Sequence, residues 1–239
     1  MDKSKGIAII PARGGSKRIP KKNIKNFCGK PIIQYSIKAA IESNLFQRVI
    51  VSTDCKTIAN ISQDSGAEVP FMRYKETSDD HSTLGDVLFE TVNRLGISIE
   101  KDLSYICCIL PTSPFLTSSF LKRSQKRFIQ DKYHAFFPVK KYSYPIWRSL
   151  KHNKKNETYS MIWPQHLNTR SQDLDDVFHD AGMFYFLDIK EFLKEKSVFL
   201  SKNGSIEISP WFVQDIDNNS DWEYAEIKFK LLHSLNKTL

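Results

Sequence analysis

The sequence predicts an α/β fold in which helices cover a mostly parallel sheet. Short apolar runs bounded by turn residues alternate along the chain with longer amphipathic stretches, and this change of hydrophobic period separates strands from helices. Residues 103–110 form a nearly continuous apolar run, as expected of a strand buried on both faces of a parallel sheet. The 239 residues suffice for one domain with a sizeable core.

The first elements alternate between strand and helix. The apolar residues 6–12 predict the first strand. Residues 31–43 predict a helix with Pro31 in its first turn, where the missing N–H group is not needed. Residues 48–53 predict a second strand, which is followed by a helix at 54–65 and a third strand at 67–71.

The middle of the chain continues this pattern. Residues 79–95 predict a helix, and the strand at 103–110 follows it. Residues 117–130 predict an amphipathic helix and residues 135–139 another strand. Because consecutive parallel strands are joined by right-handed crossovers, this order predicts a sheet with helices on its faces.

From residue 142 the alternation breaks, and prolines, tryptophans and many polar residues follow. Residues 142–180 are therefore predicted to be an inserted excursion, while residues 1–239 as a whole form one domain. The sheet then resumes. The predicted elements are a strand at 182–187, a short helix at 189–194, a strand at 211–216 and a closing helix at 222–235.

Composition indicates a globular, cytoplasmic protein, with 41% hydrophobic and 26% charged residues. The four cysteines show neither CxxC nor Cys/His metal spacing, and reduced thiols are typical of the cytoplasm. The apolar run at 6–12 ends at Arg13, too soon for a signal peptide. No stretch approaches the roughly 20 apolar residues of a membrane span, so no membrane association is expected.

Lysine and arginine outnumber aspartate and glutamate by 35 to 27, which gives a net charge of +8. The basic residues concentrate between residues 13 and 30, where no acidic residue occurs; they are Arg13, Lys17, Arg18, Lys21, Lys22, Lys25 and Lys30. A positive site of this size fits a polyphosphate better than a duplex footprint, so no nucleic-acid partner is expected. A solvated basic face is the alternative from charge alone.

The segment PARGGSKRIPKKN at residues 11–23 directly follows the first predicted strand. It matches neither the Walker A nor the GxGxxG pattern. Gly14 and Gly15 permit close backbone approach, so that backbone N–H groups can contact phosphate oxygens. The side chains that can surround a triphosphate with them are Arg13, Ser16, Lys17 and Lys22. A basic surface turn is the alternative.

Asp215 and Asp217 form a second candidate site. In a strand, residues at i and i+2 project to the same face, and two carboxylates so placed suit Mg²⁺. The alternative is that Asp217 and the residues after it only cap the last helix. Asp54, at the end of the second predicted strand, is explained in the same way as the N-cap of the next helix.

The segment at 11–23 resembles the corresponding loop of cytidylyltransferases that make CMP-activated acidic sugars. The resemblance continues through GKPII at 29–33, VSTD at 51–54, LPTSP at 110–114 and DID at 215–217, so it spans nearly the whole chain. It implies a Rossmann-like nucleotidyltransferase fold with three α/β/α layers. It also implies a reaction in which the anomeric hydroxyl of a nonulosonic acid attacks the α-phosphorus of CTP and expels pyrophosphate.

The resemblance also assigns site residues. The nucleotide-binding positions that it implies are Ala12, Arg13, Gly14, Gly15, Ser16, Lys17, Lys22, Asn23 and Arg73. Those that would stabilise the phosphates in catalysis are Arg13, Lys17 and Lys22. Arg73 resembles an arginine that helps to bind the base or ribose. The matching acidic motif binds the catalytic metal, so Asp215 and Asp217 are expected to hold Mg²⁺.

Two further segments bear on the sugar, NTRSQDL at 168–174 and HDAG at 179–182, and both look most like the branch that acts on pseudaminic acid. The sugar-binding residues so implied are Asn168, Arg170, Gln172, His179 and Asp180. Arg170 offers a fork suited to a carboxylate, while a hydrogen-bonded turn is the alternative for the last two. Leu110 stands where sialic acid enzymes usually carry glutamine, although PTSP at 111–114 keeps their form. Legionaminic and N-acetylneuraminic acids therefore stay open.

Members of this family dimerise through an excursion near residues 142–180, so the resemblance implies a homodimer whose subunits reach toward each other's sugar pocket. Two functions from other classes remain open at this point. One is a basic nucleic-acid-binding module, for which the chain carries no recognition motif. The other is a catalytically silent nucleotide-sugar sensor, which the intact basic loop and acidic pair disfavour.

Overall fold

The computed structural model describes residues 6–96 and 103–237. Its strands are β1 (Gly6–Pro11), β2 (Asn26–Phe27), β3 (Lys30–Pro31), β4 (Phe46–Ser52), β5 (Tyr105–Ile109), β6 (Ala135–Lys141), β7 (Leu150–Asn153), β8 (Thr158–Met161), β9 (Phe178–Asp180), β10 (Phe184–Asp188) and β11 (Asn203–Glu207). Its α-helices are α1 (Ile33–Ser43), α2 (Lys56–Asp64), α3 (Leu84–Arg94), α4 (Ser118–Gln130), α5 (Ile189–Glu195) and α6 (Asn219–Ser234).

The main sheet has the strand order β11-β6-β10-β5-β1-β4, and β9 pairs with β6 outside this path. β1 runs parallel to β4 and β5, and β11 runs parallel to β6. β10 is antiparallel to both of its neighbours, so β4, β1, β5, β6 and β11 all point the same way. The predicted α/β class with a mostly parallel sheet is confirmed.

Side chains of β1 alternate between the two faces of the sheet. Ala8 and Ile10 belong to one core cluster, and Ile7 and Ile9 belong to the other. Helices α1, α2, α4 and α6 contribute to the first cluster, and α3 and α5 contribute to the second. The fold therefore has the three α/β/α layers that the resemblance implies.

The prediction of a strand at residues 211–216 is wrong. A 3₁₀ turn at Pro210–Phe212 is followed by irregular chain up to residue 218. Val213 and Ile216 are buried in the core, and this spacing produces an apolar pattern like that of a strand. The strand at this end of the sheet is β11, whose glycine and polar residues conceal it in the sequence.

The third predicted strand, at residues 67–71, is reduced to isolated bridges. Ile50 pairs with Glu68, and Thr53 pairs with Met72. Pro70 lies between the two bridges and has no N–H group to donate to a ladder. This missing donor explains why an otherwise apolar segment forms no continuous strand.

The helix predicted at 79–95 begins only at Leu84. Thr83 is its N-cap and forms a capping box with Asp86. Residues 79–82 form a turn instead, in which the N–H groups of His81 and Ser82 donate to Oδ1 of Asp79. Because of this turn, the acidic side chains of residues 79 and 80 lie at the edge of the sheet. A helix that began at residue 79 would have placed them along α3 instead.

Neither of the two aspartates explained as helix caps has that role. α2 begins after Cys55, and Asp54 lies outside it. The N-cap of α6 is Asn218, in a capping box with Asp221, so Asp217 is not the cap. Asp54 and Asp217 can therefore serve the site described below. Pro31, predicted to lie in the first turn of a helix, instead precedes α1 and lies in β3.

Residues 142–177 leave the main sheet, and they contain the antiparallel hairpin β7–β8. The chain returns through β9, where Val139 pairs with Asp180 and Lys140 with His179. The last three residues of the predicted excursion thus belong to the sheet. Within the described ranges, no helix is long and apolar enough to cross a membrane.

β1, β4 and β5 are adjacent and parallel, so their carboxyl ends meet at one edge of the sheet. The loops that follow Pro11, Ser52 and Ile109 gather there. In open α/β sheets this edge is the usual position of a ligand site. The basic loop predicted from the sequence occupies it.

Candidate active site

The loop after β1, residues 12–23, is held against the end of β4. Gly14 donates its N–H to Oδ1 of Asp54 at 2.7 Å, and Ala12 donates to the carbonyl of Ser52 at 2.9 Å. A Cβ atom at Gly14 would lie 2.9 Å from Cβ of Cys55. Only glycine permits this approach without a shift of the loop or of the start of α2.

Further along the loop, Gly15 and Ser16 face open space or the cleft, whereas Asn23 holds the loop backbone in place. A Cβ atom at Gly15 would meet nothing within 4 Å, and Ser16 lines a cleft beside it. Asn23 is buried, and its Nδ2 donates to the carbonyl of Arg13 at 2.9 Å. The Asn23 amide group therefore stabilises the loop backbone, although the residue also lines the cleft.

Arg13 and Lys17 both pair with Asp80. Nη1 of Arg13 lies 2.8 Å from Oδ1 of Asp80 and donates to the carbonyl of Asp79 at 2.6 Å. Nζ of Lys17 pairs with the other carboxylate oxygen. Hydrogen bonds from Lys17 and Arg13 lower the pKa of Asp80. A carboxylate thus occupies the positions that phosphate oxygens are predicted to take.

Arg18 and Lys22 pair with the acidic motif instead. Nη1 of Arg18 lies 2.7 Å from Oδ2 of Asp217, and Nζ of Lys22 lies 3.8 Å from Oδ1. Lys22 also donates to the carbonyl of Ile216 at 2.7 Å, a residue 194 positions away in the sequence. Burial lowers the pKa of Lys22, while the charges of Asp217 and Asp215 oppose that shift. The basic loop and the acidic pair form one site.

The cleft has a volume of about 310 Å³, which suits part of a small ligand. Its walls are the basic loop, residues 73–87 and the loop after β5. The predicted nucleotide-binding residues that line it are Arg13, Ser16, Lys17, Lys22, Asn23 and Arg73. Leu110 lines it as well and adds an apolar side chain to its wall.

Arg73 lines this wall, but its guanidinium group bonds to the protein. Nε donates to Oγ of Ser52 at 3.2 Å, Nη2 donates to the carbonyl of the same residue, and Nη1 donates to the carbonyl of Thr77 at 3.5 Å. The side chain is buried, and burial lowers its pKa. Arg73 fastens the wall to the end of β4, and its contact with a base or ribose stays a prediction.

Asp215 and Asp217 lie in the irregular chain before α6, and not on a strand. Burial raises the pKa of Asp215, and the charge of Asp217 raises it further. Two mutually repelling carboxylates fit a divalent cation. In residues 6–96 and 103–237, no three or more His, Cys, Asp or Glu side chains are arranged to hold a metal. Phosphate oxygens and water would have to supply the other ligands of Mg²⁺.

The sugar-binding residues predicted within the excursion lie apart from the cleft of the same chain. Asn168 and Gln172 are exposed, and Gln172 lines a separate cavity of about 440 Å³. The Arg170 side chain is 72% exposed, and its Nε lies 2.8 Å from Oδ2 of Asp173. A single chain therefore does not bring these three residues to the cleft.

The other two predicted sugar-binding residues, His179 and Asp180, lie in β9. Oδ1 of Asp180 accepts hydrogen bonds from the Gly182 N–H at 2.9 Å and from the Tyr185 hydroxyl at 2.8 Å. Nδ1 of His179 lies 2.8 Å from the carbonyl oxygen of Asp180. The charge of Asp180 contributes to the raised pKa of Asp215, after burial and Asp217. Asp180 is thus held by two hydrogen bonds, and its charge acts on Asp215 of the candidate metal site.

Asp54 and Asp80 escape the sequence analysis as site residues. Asp54 looks like a helix cap by its position, and its bond to Gly14 requires the two loops to be adjacent. For Asp80, the available signal is charge. Residues 13–30 contain no acid, so the partners of their cations must come from another segment, and the acidic doublet at 79–80 is a candidate.

A model of the cytidylyltransferase family matches residues 7–221. The chain is 39% identical to the pseudaminic acid cytidylyltransferase of Campylobacter jejuni, over 96% of this chain and 98% of the relative. It is 34% identical to N-acylneuraminate cytidylyltransferase A of Danio rerio, over 92% of this chain and 49% of the relative.

A solved structure of CMP:2-keto-3-deoxy-manno-octonic acid synthetase complexed with CTP superposes with a TM-score of 0.67 at 16% identity, over 95% of this chain and 99% of that one. The 4-diphosphocytidyl-2C-methyl-D-erythritol synthase of Anaerococcus prevotii superposes with a TM-score of 0.65 at 13% identity, over 96% and 100%. At these identities the likeness shows a shared fold.

Replacement of Asp80 by asparagine is expected to strengthen the binding of CTP, the predicted nucleotide, roughly threefold, because Arg13 and Lys17 lose an exposed anionic competitor. Isothermal titration calorimetry measures this change in Kd. Asp64→Asn, an exposed site on α2, is the matched control for net charge and should leave Kd unaltered. Weaker CTP binding by Asp80→Asn would contradict the competition.

Proposed function

The chain belongs to the cytidylyltransferase family, and we propose that it transfers CMP from CTP to the anomeric hydroxyl of pseudaminic acid. It is a nucleotidyltransferase. In the proposed reaction a bond forms between the anomeric oxygen and the α-phosphorus. The bond from the α-phosphorus to the oxygen of the leaving pyrophosphate breaks, and the hydroxyl proton passes to solvent.

The observation that carries the proposal is the contact of Lys22, which lines the cleft, with the segment Asp215–Asp217, since it joins the basic loop to the acidic pair. Transfer of a nucleotidyl group needs cations that hold the triphosphate in line and that stabilise its growing negative charge. We assign Arg13 and Lys17, which pair with Asp80, to the phosphates of CTP, which would displace that carboxylate. Lys22 lies between the loop and the carboxylates, and we assign it to charge stabilisation.

Asp215 and Asp217 are proposed to hold Mg²⁺. Two carboxylates, one of them with a raised pKa, match a cation that prefers oxygen ligands and keeps several waters or phosphate oxygens. When bound, Mg²⁺ supplies positive charge to the triphosphate. Arg18 and Lys22 neutralise Asp217 in the ligand-free chain, so these cations become available to phosphate oxygens once the carboxylate has another partner.

Pseudaminic acid is the proposed sugar because relatives named for it share 38–39% of residues over 96% of the chain. The relative named for N-acylneuraminate shares 34% over 92%. Leu110 in the cleft wall agrees with this choice, since it cannot replace the hydrogen bonds of a glutamine. Legionaminic and N-acetylneuraminic acids are the alternatives.

A cytoplasmic homodimer is part of the proposal. The four cysteines are free thiols, as is usual in the cytoplasm. The excursion exposes several large apolar side chains, namely Tyr144, Leu150, Tyr159, Ile162 and Leu167. Exposed apolar side chains of this kind are typical of an interaction surface. A partner's excursion would also supply the sugar-binding residues that lie apart from the cleft of their own chain.

Pyrophosphate release, measured with Mg²⁺ and CTP, is expected with pseudaminic acid and not with legionaminic or N-acetylneuraminic acid. Each sugar is tested in parallel with the same enzyme preparation, and omission of CTP is the blank. Release with a different acid alone would keep the reaction and change the substrate. Silence with all three acids would refute the transfer reaction and favour a nucleotide-sugar sensor.

Asp215→Asn is expected to reduce turnover by about 100-fold or more, since charge stabilisation of several kcal/mol is lost with the metal. Without Mg²⁺ the variant should be at least as heat-stable as the parent. The folded-state pKa of Asp215 is raised, so this residue lowers stability as pH rises from its unfolded pKa through its folded pKa. Mg²⁺ should raise the melting temperature of the parent and not of the variant.

Asp64→Asn is the charge-matched control for these measurements and should respond to Mg²⁺ as the parent does. An equal rise in melting temperature with Mg²⁺ in Asp215→Asn would show that Asp215 does not hold the ion.

Leu150→Glu is expected to convert a dimer to a monomer, because it places a charge in the proposed interface. Size-exclusion chromatography with light scattering measures the mass of each variant. Ile129→Glu alters a partly exposed apolar residue on α4, outside the excursion, and should leave the mass unchanged. A monomeric parent protein at micromolar concentration would rule out the proposed dimer.

A further inference from the structure

The strap, defined here as residues 71–80, forms one wall of the cleft. The N–H of Arg73 donates to the carbonyl of Thr53 at 2.7 Å near its start, and Asp80 meets the basic loop at its end. Between these contacts its only regular structure is a 3₁₀ turn at Lys75–Thr77. Beyond the bonds of Arg73 to the end of β4, the position of the strap therefore depends on side chains of other elements.

Glu90 of α3 accepts hydrogen bonds from the middle of the strap. Its Oε1 accepts the N–H of Tyr74 at 3.1 Å, and its Oε2 accepts the hydroxyl of Thr77. Oε1 also lies 2.6 Å from Nη1 of Arg94, one helical turn later. Burial opposes ionisation of Glu90, but the hydrogen bonds from Thr77, Arg94 and Tyr74 outweigh it and lower its pKa. Both carboxylate oxygens are thus in use.

Arg94 holds the first part of the strap. Its Nη1 donates to the carbonyl of Met72 at 2.8 Å. Its guanidinium group lies over the rings of Phe71 and Tyr74, at 3.8 and 3.9 Å from their centroids, which is the geometry of a cation–π contact. Apart from their mutual ion pair, the polar and ring contacts of Glu90 and Arg94 described here all go to the strap.

The stability of α3 alone does not explain a glutamate at position 90. The Glu90 side chain is only 7% exposed, and an ionised group in such a place is costly unless it is paired and hydrogen-bonded. Apolar residues on the same helix, such as Leu88 and Val92, pack into the core without that cost. The contacts of Glu90 favour a role in fixing the strap.

We infer that Glu90 and Arg94 are positioning residues for the nucleotide: by anchoring the strap, they preform the part of the cleft wall that carries Arg73 and Thr77. The inference rests on the proposed function, because it takes CTP as the ligand. Neither anchor residue lines the cleft among the described residues, so both act through the strap. A preformed wall reduces the entropy that the protein loses when it binds CTP, because fewer residues have to become ordered.

The consequence for catalysis is specific to one substrate. The strap touches the basic loop and the end of β4, where the nucleotide is proposed to bind. The predicted sugar-binding residue Asp180 belongs to β9, and the proposed metal ligand Asp215 belongs to the chain before α6. Loosening the strap should therefore weaken the use of CTP and spare the use of the sugar.

The test compares Glu90→Gln, which removes the charge and keeps the shape, with Arg94→Lys, which keeps the charge and removes the planar fork. Val92→Ala, on the same helix and in the core, controls for a general loss of stability. In Glu90→Gln we expect the KM for CTP to rise about tenfold, as when a charged hydrogen-bond network is weakened. The kcat and the KM for the sugar should stay near the parent values.

Arg94→Lys is expected to raise the KM for CTP in the same direction, and Val92→Ala to leave it unchanged. An unaltered KM for CTP in both anchor variants would overturn the positioning role, as would an equal rise in Val92→Ala.

Amide hydrogen exchange of the ligand-free protein gives a second readout that needs no turnover. Exchange at residues 72–78 should accelerate in both anchor variants and not in Val92→Ala, because the strap would open more often. Unchanged exchange would refute the anchor even if activity changed. If the parent protein neither binds nor uses CTP, the proposed function fails, whereas the exchange rates still decide whether the strap is held by α3.

Discussion

The site depends on the parallel pairing of β1 with β4 on one side and β5 on the other. This pairing brings three loops to one edge of the sheet, and it places the N–H of Gly14 within 2.7 Å of Asp54. The same edge receives the chain before α6, because Val213 and Ile216 are buried in the core. Lys22 of the basic loop then donates to the carbonyl of Ile216, so the buried sheet positions the basic loop and the acidic pair relative to each other.

Within the described part of the chain, four cations of the basic loop have carboxylate partners in the protein itself. Arg13 and Lys17 pair with Asp80, whereas Arg18 and Lys22 pair with Asp217. A cluster of unpaired cations would repel one another and would favour the binding of any anion. With the carboxylates of Asp80 and Asp217 in place, a triphosphate would replace Asp80 as the partner of the cations, and a divalent cation would replace the cations as the partner of Asp217. Binding would therefore exchange one ion pair for another.

The fold and the two motifs could be predicted because they depend on local pattern. Apolar runs such as residues 103–110 and the glycine pair at 14 and 15 carry their meaning within a few residues. The errors of the sequence-based prediction, the missed strand β11 and the strand wrongly predicted at 211–216, arise because pairing in a sheet depends on residues far away in the chain. β11 is a strand because the edge of β6 is available to it, although its own residues are weak strand formers. Residues 211–216 have a strand-like pattern, but they pair with no strand.

By itself, the sequence determined the α/β class, the basic loop and the acidic pair, since each can be recognised from residues that are neighbours in the chain. The resemblance of its motifs to cytidylyltransferases also came from contiguous residues, and the family match bears it out. Only the tertiary structure decided which carboxylate meets which cation, that Asp54 holds the loop, and that Glu90 and Arg94 hold the strap. These pairings depend on distances between residues far apart in the chain, and such distances exist only once the sheet has formed.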